Sequence, residues 1–202
     1  MSIVVDHERR RREILRRSVR LFSEHGYDGV SYRRIAEGCG LARTTIYKYF
    51  TTKRAIFDAS ILQVTQEMAV SYARVMATPG LTSAERLRKL MIVVLDSTLE
   101  QRVLLHVILD YLLGRRRAGE DVSRRLRKHT VGIKRLLNRV LLQGIQAGEF
   151  PGAEPGASMH LLYALLEAAV LRLTVEGKVN REALVGMVDQ AINGFCHRPS
   201  AD

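Results

Sequence analysis

The chain has 202 residues, 47% of them hydrophobic, and its Lys+Arg 32 against Asp+Glu 21 give a formal net charge of +11 and a pI of about 10.2. That apolar content excludes a disordered chain, and the length suits one large domain or a small domain joined to a medium one. The positive excess favours anionic partners such as nucleic acid or an acidic membrane surface, between which composition alone does not choose, while Cys39 and Cys196 lack the close spacings of a zinc site or disulfide framework, so neither metal nor cofactor is expected.

The N-terminal run MSIVVDHERRRREIL has too short an apolar stretch before its charges for a signal peptide, and no uninterrupted apolar run reaches about 18 residues. A cytoplasmic protein with no membrane partner is the expectation. The charge is uneven: 13 Lys/Arg against 6 Asp/Glu up to Phe57, then 19 against 15 from Asp58 onward. This places an anion-binding module in residues 1–57 and a more neutral part in residues 58–202.

Every periodic segment reads as helix. The first spans about His7 to His25, with Ile14, Leu15, Ser18, Val19 and Phe22 on one face and Gly26 as its stop. Ser31 offers an N-cap for a short second helix that buries Ile35, Ala36 and Cys39 and ends at Gly40. Arg43 opens a third helix within three residues, the tight spacing of a helix-turn-helix. Thr51 and Thr52 cap a fourth helix that runs from about Lys53 to Ala77 and stops at Pro79-Gly80.

Thr82-Ser83-Ala84-Glu85 has capping-box spacing ahead of a fifth helix with Leu87, Leu90, Met91, Val94 and Leu95 inward. Val103 to Leu113 is apolar almost all round, which predicts a helix at the centre of the larger part. After the loop GRRRAGED a long helix spans about Asp121 to Ala147, and two more follow the loop FPGAEPGAS, the last capped by Asn180. The fold class is all-α, about nine helices.

The third helix is too short to be stable alone, so its display is what needs explaining. Ala42, Ile46 and Phe50 recur every four positions and form the predicted buried face. Arg43 with Tyr47 and Thr44 with Lys48 form two outward stripes, flanked by Thr45 and Tyr49. A major groove about 12 Å wide admits one helix, where Arg forks onto guanine, Thr meets a thymine methyl, and Tyr and Lys hold phosphates. Lys53 at the start of the fourth helix, and Ser31, Tyr32 and Arg33 at the start of the second, are further phosphate candidates.

The stretch from Ile14 to Ala59, ILRRSVRLFSEHGYDGVSYRRIAEGCGLARTTIYKYFTTKRAIFDA, resembles the DNA-binding module of the TetR family of bacterial transcriptional regulators. Leu21-Phe22, Gly26-Tyr27, Ile35-Ala36, Gly40, Ile46-Tyr47, Tyr49-Phe50, Lys53 and Ile56-Phe57 carry the likeness. The resemblance implies a homodimer, usually a repressor, whose recognition helices read a palindromic operator and whose larger half binds a small-molecule effector. It also implies an isologous interface built by the last two helices. Where this sequence has Ala42 the family pattern often has Ser, so a side-chain cap on the third helix is in doubt; Arg43-Thr44 stands for a common Lys-Gly.

In the larger part, His106 and Asp110 stand at i and i+4 in an apolar helix and are expected inside, satisfying each other or orienting a ligand. Tyr72, Met91, Asp96, Tyr111 and Tyr163 complete the effector candidates. Surplus apolar positions Leu161, Leu162, Leu165, Leu166, Ala169, Leu173, Val188 and Ile192 suggest a four-helix dimer interface. Arg9 to Arg12 read as a solvated charge run or as an arm reaching DNA; Arg115 to Arg117, Arg124, Arg125, Arg127 and Lys128 read first as a solvated face. Rival readings are a sequence-tolerant architectural protein, marked by steep salt dependence without a preferred site, and an enzyme using His106 and Asp110. No nucleophile, metal or phosphate motif supports the enzyme.

Overall fold

The stripe Ile14, Leu15, Ser18 and Phe22 buries one face of helix α1 (Ser2–His25), and Gly26, at φ +68°, ends it where a side chain would be strained. The computed structural model describes residues 2–176 and 179–197, apart from the side chains of 2–5 and 123–129, and among the described residues it has nine α-helices and no strand. The chain divides into two compact units, Met1–Glu67 with Val103–Val122, and Met68–Arg102 with Ser123–Asp202.

The first unit holds α1, α2 (Tyr32–Cys39), α3 (Arg43–Tyr47), the start of α4 (Lys53–Ala77) and nearly all of α6 (Arg102–Arg117). Ser31 caps α2 by accepting from the Arg34 N–H at 3.1 Å, and Gly40 at φ +65° turns the chain so that the Leu41 N–H reaches the Ala36 carbonyl at 3.0 Å. Phe22, Phe57, Tyr27 and Tyr111 form an aromatic cluster with centroids 4.4 to 5.9 Å apart. Full burial of a side chain such as Phe22 or Phe57 contributes about 2–3 kcal/mol. The buried Ser18 and Ser60 hydroxyls donate to the Ile14 and Leu15 carbonyls, so neither is left unmatched.

Two expectations change here. Helix α1 begins at Ser2 rather than His7, because no breaker interrupts the segment and Arg9 pairs with Asp6 at 2.6 Å on the added turns. Helix α6 packs in the first unit, not at the centre of the larger part: Leu104, Val107 and Tyr111 are buried, while Val103 and Leu113 are about half exposed. Apolar residues all round a helix say that it has neighbours; the choice of neighbour came from Tyr27 and Phe57, which receive Tyr111.

The second unit packs α5 (Ser83–Glu100), α7 (Ser123–Gln146), α8 (Pro155–Val175) and α9 (Arg181–Cys196) with the end of α4 around Leu87, Leu90, Met91, Leu137, Val140, Leu162, Val188 and Ile192. The capping box of Thr82 and Glu85 forms as expected, and the Glu149 carboxylate accepts from the Ser83 N–H at 2.7 Å, satisfying another orphan donor of α5. Arg86 returns the favour at the end of α4 by donating to the Val75, Met76 and Thr78 carbonyls. Between α5 and α9, Arg88 pairs with Asp189 and Arg181 grips Asp96 with both nitrogens at 2.7 and 2.9 Å.

By length and composition alone α8 is apolar enough to cross a membrane, with a hydropathy of 1.4. Its apolar residues divide instead into two stripes. Leu162, Leu166, Ala169 and Leu173 follow spacings of four, three and four and are buried; Leu161, Leu171 and Val175 are exposed.

Candidate functional site

Ile46 and Phe50 anchor α3 against α1 and α2, both buried in the first-unit core. Ala42 does not join them, contrary to the four-residue pattern: it is the exposed N-cap, with extended backbone at φ -65° and ψ 146° and no side-chain hydrogen bond. A cap residue stands outside the helical spiral, so periodicity does not govern its direction. Opposite the anchor, Arg43, Thr44, Tyr47 and Lys48 are exposed, and Thr45 is half-buried. The front therefore offers a guanidinium, a hydroxyl, a phenol and an ammonium from two turns of backbone.

Aromatic packing sets the direction of that front. The Tyr47 ring, 48% exposed, stacks on Tyr32 at 4.4 Å, and the Tyr32 hydroxyl donates to the Phe50 carbonyl. Burial, then the neighbouring Tyr47, push the Tyr32 phenol above its ordinary value. Tyr32 thus spends its hydroxyl on the scaffold and acts through Tyr47. Tyr49 is half-buried, stacked at 4.4 Å on His7 of α1, and Arg11 sits 5.2 Å over the Phe50 ring.

Lys53 departs from its expected place as a free cation at the start of α4. Its ammonium donates to the Tyr27 carbonyl at 2.9 Å and lies 4.1 Å over the Tyr27 ring. Burial holds its pKa below the ordinary lysine value, with Arg115 adding to the fall and Asp28 opposing it. The Cα position is as the sequence implies, but the four-carbon stem lets the charge fold inward onto a carbonyl and a π face. Ser31 and Arg33 stay exposed at the start of α2, Ser31 as the cap and Arg33 paired with Glu37 at 2.7 Å.

His7 against Tyr49, Arg11 over Phe50 and Tyr27 beneath Lys53 are the supporting contacts that sequence reasoning passed over. The signal existed: positions 7, 11, 14, 18 and 22 continue one helical stripe, so the half-buried Arg11 and the exposed His7 carry that face of α1 on to Phe50 and Tyr49.

The effector candidates divide between the two units. His106 and Asp110 do meet, at 3.4 Å, but on the surface with side chains 58% and 70% exposed, which overturns their expected burial. The buried stripe of α6 belongs to Leu104, Val107 and Tyr111, and 106 and 110 fall on its back. Tyr111 is in the aromatic cluster of the first unit, whereas Met91 is sealed in the second-unit core. Asp96 is taken by Arg181. Tyr72 and Tyr163 remain as partly buried side chains at the margin of that core, with Lys134 3.6 Å over the Tyr163 ring. Arg115 to Arg117 form the last turn of α6, Arg115 pairing with Glu120 at 3.4 Å; the side chains of Arg124, Arg125, Arg127 and Lys128 lie outside the described residues.

Of the expected dimer surface, Leu162, Leu166, Ala169, Leu173, Val188 and Ile192 are already buried within the single chain. Adjacent leucines on a helix point about 100° apart, so the pairs 161–162 and 165–166 divide between two faces. Leu161 and Leu165 stay on the outer one, where with Met187, Gln190 and Ala191 they line a shallow groove of about 250 Å³.

The comparisons with known proteins follow the same division. Residues 14–60 match the family model for bacterial regulatory proteins of the tetR family. The transcriptional repressor AcnR of Corynebacterium diphtheriae is 39% identical over 77 residues, 38% of this chain and 38% of that protein; the match thus spans well under half the length of this curated relative. Over nearly the whole chain the fold matches a TetR transcription regulator from Haloarcula marismortui, with a TM-score of 0.77, 22% identity and coverage of 93% and 97% of the two chains. It also matches the regulator FadR of Bacillus subtilis, solved with stearoyl-CoA, at a TM-score of 0.69, 20% identity and coverage of 91% and 96%. The family match falls on the segment that builds α2, the turn and α3, and over that segment the chain is similar to the tetR family of bacterial regulatory proteins.

Proposed function

We propose that the chain is a transcriptional repressor, working in the cytoplasm, that binds a palindromic operator as a homodimer and is released by a small-molecule effector. The observation that carries this reading is the outward front of α3, with Arg43, Thr44, Tyr47 and Lys48 exposed on a helix whose other side is locked by Ile46 and Phe50. Arg43 and Thr44 are the base readers; Tyr47, Lys48, Ser31 and Arg33 hold phosphates. Thr45, Tyr49, Tyr32 and Lys53 support that face. Residues 1–57 do the DNA work, and residues 58–202 serve the effector and the dimer.

The dimer uses the exposed α8–α9 groove around Leu161, Leu165 and Met187, so that two helices from each protomer close an isologous interface. Tyr72 and Tyr163, each with an apolar body and a polar tip at the margin of the core, are the effector contacts. Release is a population shift: the effector favours a dimer whose two recognition helices no longer match half-sites spaced by whole helical turns. No catalytic step enters.

Selection of bound duplexes from a random pool, with Lys48→Ala as control, tests the reading. An enriched palindrome that the variant fails to enrich supports a dimeric reader. Salt-sensitive binding with no enriched motif would favour an architectural protein.

A further inference from the structure

We infer that the outer face of α6 is a self-association surface, on which a second copy of the chain docks antiparallel, separately from the α8–α9 contact proposed above. Within the first unit, Leu104, Val107 and Tyr111 are the buried side of α6, with Ile108 and Leu112 partly buried against the same core. Val103, His106, Asp110 and Leu113 are exposed and recur at spacings of three, four and three. They form one continuous stripe along about 15 Å of helix, at 1.5 Å of rise per residue.

The stripe is symmetric about its midpoint. Val103 and Leu113 lie five residues to either side of position 108, and His106 and Asp110 two residues to either side. Two such helices, laid antiparallel across a two-fold axis at position 108, set Val103 against Leu113 and His106 against Asp110, each pair occurring twice. This is the layering of antiparallel helices that pack through spacings of three and four. A parallel, in-register arrangement would put His106 on His106 and Asp110 on Asp110, so the charges themselves select the antiparallel one.

The two ends of the stripe are apolar and half exposed, and its centre is polar. His106 Nε2 lies 3.4 Å from Asp110 Oδ2 within the chain, with both side chains mostly exposed. That one long contact saturates neither group, since a carboxylate accepts several hydrogen bonds and an imidazole has a second nitrogen. A second copy closes the four groups into an alternating ring of imidazoles and carboxylates. The net charge of +11 opposes the approach of two copies, but each stripe carries the complement of the other. Arg117, the next position along, falls past the end of the second copy's α6 and stays outside the contact. A surface of this size gives weak association, visible only at high protein concentration.

Sedimentation of the full chain over a concentration series tests this. Wild type is expected to form species heavier than its dimer as concentration rises, and the Leu161→Glu/Met187→Glu variant to pass from monomer to dimer over the same range. Adding Leu113→Glu should abolish both. His106→Asp and Asp110→Lys, each shown folded by its circular-dichroism melt, should each weaken the association by about tenfold or more, because two pairs per contact lose their complement. An equimolar mixture of these two variants should associate again, since each supplies the sign that the other has lost; a charge pair confined to one chain has no such effect. Wild type that shows no concentration dependence, association that survives Leu113→Glu, or a mixture that associates no better than its components overturns the inference. A wild-type dimer that Leu113→Glu alone turns into a monomer would support the α6 contact and count against the α8–α9 one.

Discussion

Replacing Lys53 with Met removes an ammonium that the structure turns inward and keeps the bulk of its stem. A hydrogen bond from a charged donor contributes about 1.5–3 kcal/mol, and a cation over an aromatic face about 0.5–1 kcal/mol when partly solvated. Burial opposes and outweighs both, as the lowered Lys53 pKa shows, so the expected loss of about 1–3 kcal/mol comes from the Tyr27 carbonyl left without its donor. The sign with pH is opposite to that of an ordinary salt bridge. A lysine whose folded pKa is depressed carries its charging penalty at neutral pH, and the penalty is relieved as pH rises from the depressed value towards 10.5. Urea denaturation should show a lower midpoint with unchanged slope for Lys53→Met, while the salt dependence of operator binding stays that of wild type. Lys48→Met should do the reverse: unaltered stability and a salt slope shallower by about one per protomer. If Lys53→Met leaves the midpoint in place and reduces the salt slope by about one, Lys53 leaves Tyr27 to grip a phosphate and its assignment as an internal anchor fails.

Tyr72, whose phenol burial pushes up to about 12 from its ordinary 10.0, should make the protein alkali-sensitive. Its neutral form favours the fold fully below pH 10, and that contribution, at most about 3 kcal/mol, is lost between pH 10 and 12; Tyr72→Phe should flatten the fall in stability across that window. Gly144→Ala should cost about 1–3 kcal/mol by overpacking, because the new Cβ would lie 2.1 Å from the buried Phe150 ring and 2.9 Å from the Ser83 Cβ; an unchanged melting temperature would show that Phe150 has room to move. Leu161→Glu with Met187→Glu places charge in the exposed α8–α9 groove and should yield a folded monomer in sedimentation, with weakened operator binding; a dimer that survives both changes must use another face.

The helix-turn-helix was legible because its signals are local. Ser31 caps the next turn, Gly40 adopts the left-handed backbone that ends α2, and Ile46 needs only its own periodicity to find the buried side. The capping box at Thr82 and the cap at Asn180 were readable for the same reason. Reading failed where a residue had two possible partners. His106 and Asp110 were assigned by the apolarity of their neighbours, but burial of α6 is decided by Tyr111 meeting Tyr27 and Phe57, residues distant in sequence. Leu162 and Leu166 were assigned to a partner chain because apolar residues on two faces do not reveal which face the protomer's own core takes.

By itself, then, the sequence determined the helices, their caps, the tight turn and the outward set Arg43, Thr44, Tyr47 and Lys48, since hydrogen bonds and periodicity within a few residues specify all of these. Tertiary structure alone decided that Lys53 folds onto Tyr27, that Tyr32 holds Tyr47, that α6 joins the first unit and that Leu161 rather than Leu162 faces outward. Each of those outcomes depends on which distant surface offers a long or two-faced side chain the better burial or partner, and that surface exists only once the chain has folded.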